Sequence, residues 1–228
     1  MLRPTLFDFR DFLRAPQLLT PAPLREGGWR WAIMLGTYCI GLILIGAGLA
    51  LWQHAFHLPA AEAFNGFTVP MLVTIVVLAA PLAEEVLFRG WLTGRPRALW
   101  LLAMAVIAAG LLRAVAMHWH ETLMALGVIL TGFAAVAGWL VSRRRTVPPR
   151  WFARRFAVWF YLSVVVFGLM HLTNYPTLSW ALVPMVLPQV WAGLVFGYLR
   201  MRNGVWAGIL AHAVGNAMAL ATALLAGL

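Results

Sequence analysis

The sequence predicts an all-α membrane protein, a polytopic transmembrane helix bundle of about seven spans with its active site in an intramembrane cavity. Three observations support this fold class. Of the 228 residues, 63% are hydrophobic and 11% are charged, a balance that indicates lipid as the main solvent. Long apolar runs recur along the chain, and about 20 such residues let a helix cross the hydrocarbon core. Acidic and polar residues inside these runs lie at helical spacing.

The charge pattern indicates a membrane protein and argues against a nucleic-acid-binding one. The formal net charge is +10, and all 17 basic residues are arginines. They lie between the apolar runs and form no single basic patch, as expected for charges that flank a membrane. We therefore expect membrane lipid as a partner and no nucleic acid. The one cysteine, Cys39, leaves no internal disulfide framework.

The apolar runs and the arginines between them predict topology. The seven expected spans are 31–53, 68–93, 98–117, 122–142, 156–174, 179–199 and 204–226. Arginines precede the first span and fill alternate turns, and only Arg113 falls on the other side. Since arginine is enriched in cytoplasmic loops, we expect a multi-pass protein of the cell (inner) membrane with its N-terminus in the cytoplasm.

The chain divides into an N-terminal segment and one membrane domain. Apolar and charged side chains alternate over residues 6–14 of the segment 1–28, which predicts a cytoplasmic, interfacial amphipathic stretch, with a disordered tail as the alternative. Residues 29–228 form the transmembrane domain, in which no repeat or low-complexity linker appears. On the last two spans, Gly193 and Gly197, and then Gly204 and Gly208, are spaced four apart, which predicts close helix packing.

Two adjacent glutamates lie in the second apolar segment, where ionised groups are costly. Each charge at the bilayer centre costs about 2.5–3.5 kcal/mol on insertion scales. We therefore expect the two glutamates to have a structural or functional role. Glu85 and Arg89 are i and i+4, the spacing at which an ion pair forms on a helix. Glu84 lies about 100° away around the helix and has no partner within the segment. Pro81 lacks an amide hydrogen and should bend this helix just before the pair.

Two further polar pairs occur at the same spacing within apolar spans. Phe167 and His171 lie in the fifth span, and His212 and Asn216 lie in the seventh. A shared polar cavity with Glu84 accounts for all of them better than separate packing roles do. A glutamate and a histidine can act as general base on water, and a second histidine with an amide can stabilise an oxyanion. This set suits hydrolysis of an amide bond.

Other hydrolytic designs do not fit the sequence. Ser142, Ser163 and Ser179 lack the setting of a serine nucleophile, and the aspartates precede the membrane part. His120 and Glu121 begin like a zinc-binding H-E-x-x-H motif, but a methionine occupies the second histidine position.

The three polar motifs resemble those of the CPBP (CAAX protease and bacteriocin-processing, also called Abi) family, which includes type II CAAX prenyl endopeptidase-like proteins. The flanking sequences are similar as well, and the resemblance covers about 67–94 and 156–220. In chain order, the motifs are Glu84-Glu85-x-x-x-Arg89, Phe167-x-x-x-His171 and His212-x-x-x-Asn216.

The resemblance implies an all-helical intramembrane endopeptidase that acts on membrane-associated peptides or proteins. Carried over by position, Glu84 and His171 would activate water. His212 and Asn216 would stabilise the oxyanion or complete a metal site.

The resemblance also implies a structural pair and leaves the cofactor open. Glu85 and Arg89 would support the fold around the site. Glu84, His171 and His212 are ligand types for a catalytic Zn²⁺ with one open position, and the same side chains suffice for metal-free catalysis. Both possibilities stand at this point.

Two features of the sequence do not fit a bundle of straight spans with closely spaced motifs. Between Arg89 of the first motif and Phe167 of the second lie 77 residues, so we expect 97–142 to be an inserted hairpin. At 1.5 Å per residue, His171 lies roughly 10 Å deeper than Glu84, so we expect an irregular helix end near 172–178.

Two alternative functions remain at this stage. A non-catalytic scaffold or bacteriocin self-immunity protein would keep the fold without needing Glu84. A proton-coupled transporter would relay protons through the same side chains, but the inverted repeats typical of such carriers are not evident.

Overall fold

The computed structural model describes residues 1–62 and 66–225, so position 226, the predicted end of the last span, lies outside the described residues. Within them, seven helical stretches are long and apolar enough to cross a membrane, which confirms the predicted helical bundle. The seven stretches are Leu24–Ala55, Val69–Thr93, Pro96–Ala116, Glu121–Ser142, Phe156–Asn174, Trp180–Asn203 and Val205–Leu225.

Several of these stretches change helix type along their length. The α-helices are α1 (Leu2–Arg14), α2 (Leu24–Ala55), α3 (Val69–Leu72), α4 (Ala80–Arg89), α5 (Pro96–Ala116), α6 (Glu121–Ser142), α7 (Arg150–Arg154), α8 (Phe156–Met170), α9 (Leu187–Asn203) and α10 (Val205–Leu225). A π-helix joins α3 to α4 over Val73–Ala79. Short 3-10 helices cover Gly90–Thr93, His171–Asn174 and Trp180–Val186.

The chain forms two compact units. Met1–Arg89 and Phe156–Leu228 make up the first, and Gly90–Arg155 makes up the second. In the second unit, α5 and α6 pair closely, and the Trp100 indole donates a hydrogen bond of 3.0 Å to the Ala134 carbonyl. These helices correspond to the 97–142 hairpin. Its origin as an insertion stays a prediction.

In the first unit, α9 lies at the centre and contacts α1, α2, α8 and α10. A Cβ atom added at Gly197 would lie 2.6 Å from the Phe160 ring. The absent side chain therefore lets α8 approach α9 closely, as expected for small residues in membrane helices. Gly204 separates α9 from α10 with a φ of +93°, a conformation that favours glycine.

The N-terminal helix packs on protein through its apolar face. Phe9 and Phe12 are buried, and their rings lie 5.1 and 5.5 Å from the ring of Tyr198 on α9. Asp8 accepts hydrogen bonds from the Tyr198 hydroxyl and from Arg202. The predicted amphipathic stretch is thus helical over Leu2–Arg14, and its two buried phenylalanines contact neighbouring helices.

Candidate active site

Glu84, His171 and His212 meet in one cavity although their elements are far apart in sequence. Glu84 lies on α4, His171 begins the 3-10 helix after α8, and His212 lies on α10. Glu84 Oε2 lies 4.0 Å from His171 Nε2 and 3.8 Å from His212 Nε2. All three side chains line a cavity of about 330 Å³, together with Asn216. The structure therefore brings the two predicted polar pairs and the free glutamate together.

The fifth span ends irregularly where this convergence requires it. The α-helix stops at Met170, and His171–Asn174 continues as a 3-10 helix, in agreement with the expected irregular end. The His171 Nδ1 atom lies 2.8 Å from the Phe167 carbonyl oxygen. That oxygen can only accept a hydrogen bond, so Nδ1 carries the hydrogen. In the neutral ring, Nε2 is then a lone-pair acceptor that faces Glu84.

His212 is oriented in the same way by Glu85. The Glu85 Oε1 atom lies 3.0 Å from His212 Nδ1 and 2.6 Å from Arg89 Nη1. An ionised carboxylate only accepts, so His212 also carries its hydrogen on Nδ1 and turns Nε2 toward Glu84. The predicted Glu85–Arg89 ion pair is present, and its link to His212 is an interaction that the sequence motifs did not reveal.

The Glu85–Arg89 pair is fully buried and closely surrounded. Both side chains are at most 1% exposed, and the guanidinium carbon of Arg89 lies 3.9 Å above the Phe167 ring. This cation–π contact supplies part of the solvation that water would give. A Cβ atom added at Gly208 would lie 2.9 Å from Glu85 Oε2. The small residue on α10 therefore makes room for the carboxylate.

Asn216 is held by a carbonyl that the π-helix leaves open. The Ala80 amide hydrogen bonds to Ile75 O, five residues back. The next residue, Pro81, has no amide hydrogen that could reach Val76 O in the same pattern. Asn216 Nδ2 donates to Val76 O at 2.8 Å instead. A π-helical segment therefore precedes Pro81, and the carbonyl that it leaves without a backbone donor orients the Asn216 amide. The bend predicted at Pro81 stays a prediction.

The spacing of the side chains does not match a zinc site. Two ligands of tetrahedral Zn²⁺ at its usual bond lengths lie about 3.4 Å apart, whereas the separations here are 3.8 and 4.0 Å. Within residues 1–62 and 66–225, no three His, Cys, Asp or Glu side chains are arranged to hold a metal ion. One carboxylate and two imidazole nitrogens are suitable ligands for a metal ion. As placed, however, their separations do not fit a bound zinc ion.

The fold and the site define a multi-pass membrane protein with a carboxylate–imidazole site that lines a cavity among its helices. A model of the family described as type II CAAX prenyl endopeptidase Rce1-like matches residues 65–154 and 144–218. No curated protein and no solved structure matched the chain. The chain belongs to the Rce1-like family, which confirms the resemblance seen in its motifs and implies protease activity of the CAAX-type intramembrane class.

Proposed function

We propose that this protein is an intramembrane endopeptidase that hydrolyses peptide bonds of membrane-associated proteins or peptides with water activated by Glu84 and His171. The observation that carries the proposal is the position of Glu84 Oε2, a buried oxygen without a hydrogen-bond partner among the described residues. It lies within 4.0 Å of both histidine Nε2 atoms at the wall of the cavity. An unsatisfied buried acceptor is costly, and such groups cluster where chemistry uses them.

The spacing of these atoms suits a shared water molecule. A water oxygen about 2.8 Å from each of two acceptors can bridge a separation of 3.8–4.0 Å at an angle near 90°. Such a water would donate one hydrogen to Glu84 and the other to a histidine Nε2. Both acceptors would raise the nucleophilicity of its oxygen.

The proposed reaction is direct attack of water on the substrate carbonyl. The water oxygen forms a bond to the carbonyl carbon while Glu84 takes one proton. The tetrahedral intermediate then collapses, the carbon–nitrogen bond breaks, and Glu84 passes the proton to the leaving nitrogen. The products are one new carboxyl terminus and one new amino terminus, and Glu84 returns to its ionised form.

His212 and Asn216 are the proposed oxyanion stabilisers. Asn216 lines the cavity and uses one amide hydrogen on Val76 O, which leaves its second amide hydrogen for an oxyanion. His212 can donate from Nε2 to the oxyanion only when that atom carries a hydrogen, and the Glu85 contact at Nδ1 orients the ring toward the cavity. Glu85 and Arg89 therefore act as positioning residues.

Treating the purified protein with a metal chelator is expected to leave its cleavage rate unchanged, because the ligand spacing is wider than Zn²⁺ requires. The measurement is peptide cleavage after incubation with 1,10-phenanthroline, with its non-chelating 1,7 isomer as the control. Loss of activity with the first isomer alone, and recovery with added Zn²⁺, would show that Glu84, His171 and His212 close around a metal. In that case the ion would supply Lewis-acid activation of water.

The proposal also covers the class of substrate and the orientation of the protein in the membrane. The family is described as a type II CAAX prenyl endopeptidase, so a prenylated peptide is the first probe to use. Membrane lipid is the proposed surrounding partner, and no nucleic-acid partner is proposed. The arginine distribution supports an inner-membrane protein with a cytoplasmic N-terminus.

A comparison of peptide termini tests the proposed function. Membranes from cells that express the wild-type protein or Glu84→Gln at equal levels are surveyed for new termini by quantitative mass spectrometry. We expect new termini with the wild type alone, because the amide cannot take the proton from water. Their sequences would define the cleavage site.

An unchanged set of termini would contradict the proposal. If a phenotype of the wild type also persisted in Glu84→Gln, the protein would be a scaffold or immunity protein that keeps the family fold.

A further inference from the structure

Gln189 lines the same cavity and belongs to none of the three motifs. Gln189 is half-buried near the start of α9 and lines the cavity with Glu84, His171 and His212. Its carbonyl oxygen is buried and has no hydrogen-bond partner among the described residues. The other glutamines differ, since Gln17 is exposed and Gln53 donates to the Leu58 and Pro59 carbonyls.

Neighbouring contacts fix the backbone that carries this side chain. A Cβ atom added at Gly168 would lie 2.7 Å from Val190 Cγ2 and 3.6 Å from Val190 N. The start of α9 therefore packs directly against the turn of α8 that leads to His171. On the other side, the Trp191 indole donates to the Tyr38 carbonyl at 3.1 Å. Gln189 is thus presented from a rigid backbone between two packed helices.

A peptide that enters a membrane-embedded cavity needs hydrogen-bond partners for its own backbone. Each peptide N–H or C=O left unpaired in an apolar environment is strongly unfavourable. Glu84, His171, His212 and Asn216 are committed to the reacting bond in the proposed mechanism. Gln189 offers a donor and an acceptor side by side, the same pair that one peptide group presents.

We propose that Gln189 is a substrate-positioning residue, which binds the backbone of a peptide group next to the scissile bond. This inference rests on the proposed protease function. The Gln189 oxygen accepts the N–H of that group, and the Gln189 amide nitrogen donates to its carbonyl. The orphaned acceptor of the protein is thereby satisfied when substrate is bound, and the scissile carbonyl is held over the water.

The test combines a side-chain change with a backbone change in the substrate. Gln189→Met keeps the length of the side chain and removes both hydrogen-bonding groups, and Gln17→Ala is the exposed control. The probe is a lipid-anchored peptide that carries the cleavage sequence mapped by the terminus survey, reconstituted with the purified full chain. In a series of probes, each non-scissile peptide N–H is replaced in turn by an ester oxygen.

We expect Gln189→Met to lower kcat/KM roughly tenfold to a hundredfold. In the wild type, an ester at one position near the scissile bond should lower the rate by a similar factor. In Gln189→Met, the same ester should have no further effect, because the hydrogen bond is already absent. A purely structural role for Gln189 would show no such position dependence. Gln17→Ala should cleave every probe as the wild type does.

Other outcomes separate this inference from the function on which it rests. If Gln189→Met cleaves at the wild-type rate, or if the ester penalties are the same in both proteins, Gln189 does not bind the substrate backbone. The protease function would still stand, provided that Glu84→Gln is inactive. If Glu84→Gln cleaves as well as the wild type does, both proposals fail together.

Discussion

Replacing Glu84 with glutamine is expected to lower the kcat of the purified protein roughly a thousandfold, within the range that general-base groups usually contribute. Glutamine has nearly the same shape and can still fill the space beside His171 and His212. It cannot accept a proton from water, so the chemical step is lost while the cavity stays intact. KM should change little, because the Glu84 side chain acts on the water and not on the substrate backbone.

The measurement is the rate of peptide cleavage in proteoliposomes, with the amount of folded protein determined by size-exclusion chromatography in detergent. Glu26→Gln is the matched control, since it makes the same chemical change at an exposed residue of α2. We expect Glu26→Gln to behave as the wild type does. A folded Glu84→Gln variant that retains full activity would remove Glu84 from the catalytic role and leave the proposed mechanism without its base.

Much of this site could be predicted because its parts are local in sequence. Glu85 and Arg89 are one helical turn apart, so their ion pair follows from the i, i+4 rule without any tertiary information. The apolar runs likewise give the number of spans, because the bilayer sets the length of each helix. Features with a fixed period or a fixed length are those that a single sequence specifies.

The interactions that depend on how the helices meet could not be predicted. The hydrogen bond between Glu85 and His212 joins residues 127 positions apart, and no local pattern links them. The bond between Asn216 and Val76 needs the π-helical register before Pro81, which the proline alone does not specify. For the same reason, the alternation of apolar and charged residues predicted an amphipathic N-terminal stretch, but whether lipid or protein covers its apolar face depends on tertiary packing.

Replacing Arg89 with methionine is expected to destabilise the folded protein by about 3–5 kcal/mol, because Glu85 would be left as a buried carboxylate without its cation. The effect should appear as a lower free energy of unfolding in detergent and a lower yield of folded protein. Arg25→Met is the control, since the Arg25–Glu26 contact of 3.6 Å is exposed to solvent. We expect that change to have little effect on stability.

Two double variants separate the structural role of this pair from its role in orienting His212. Glu85→Leu with Arg89→Met removes both charges, and Glu85→Gln with Arg89→Met removes both charges but keeps an acceptor for His212 Nδ1. Both should recover much of the stability lost in the single Arg89→Met variant, since no unpaired charge remains. Only the glutamine-containing double variant should retain measurable cleavage, because only there does a carbonyl oxygen still hold the Nδ1 hydrogen and keep His212 Nε2 turned toward Glu84. Equal activity in two folded double variants would show that the Glu85 contact does not orient His212, and the pair would then be needed for folding alone.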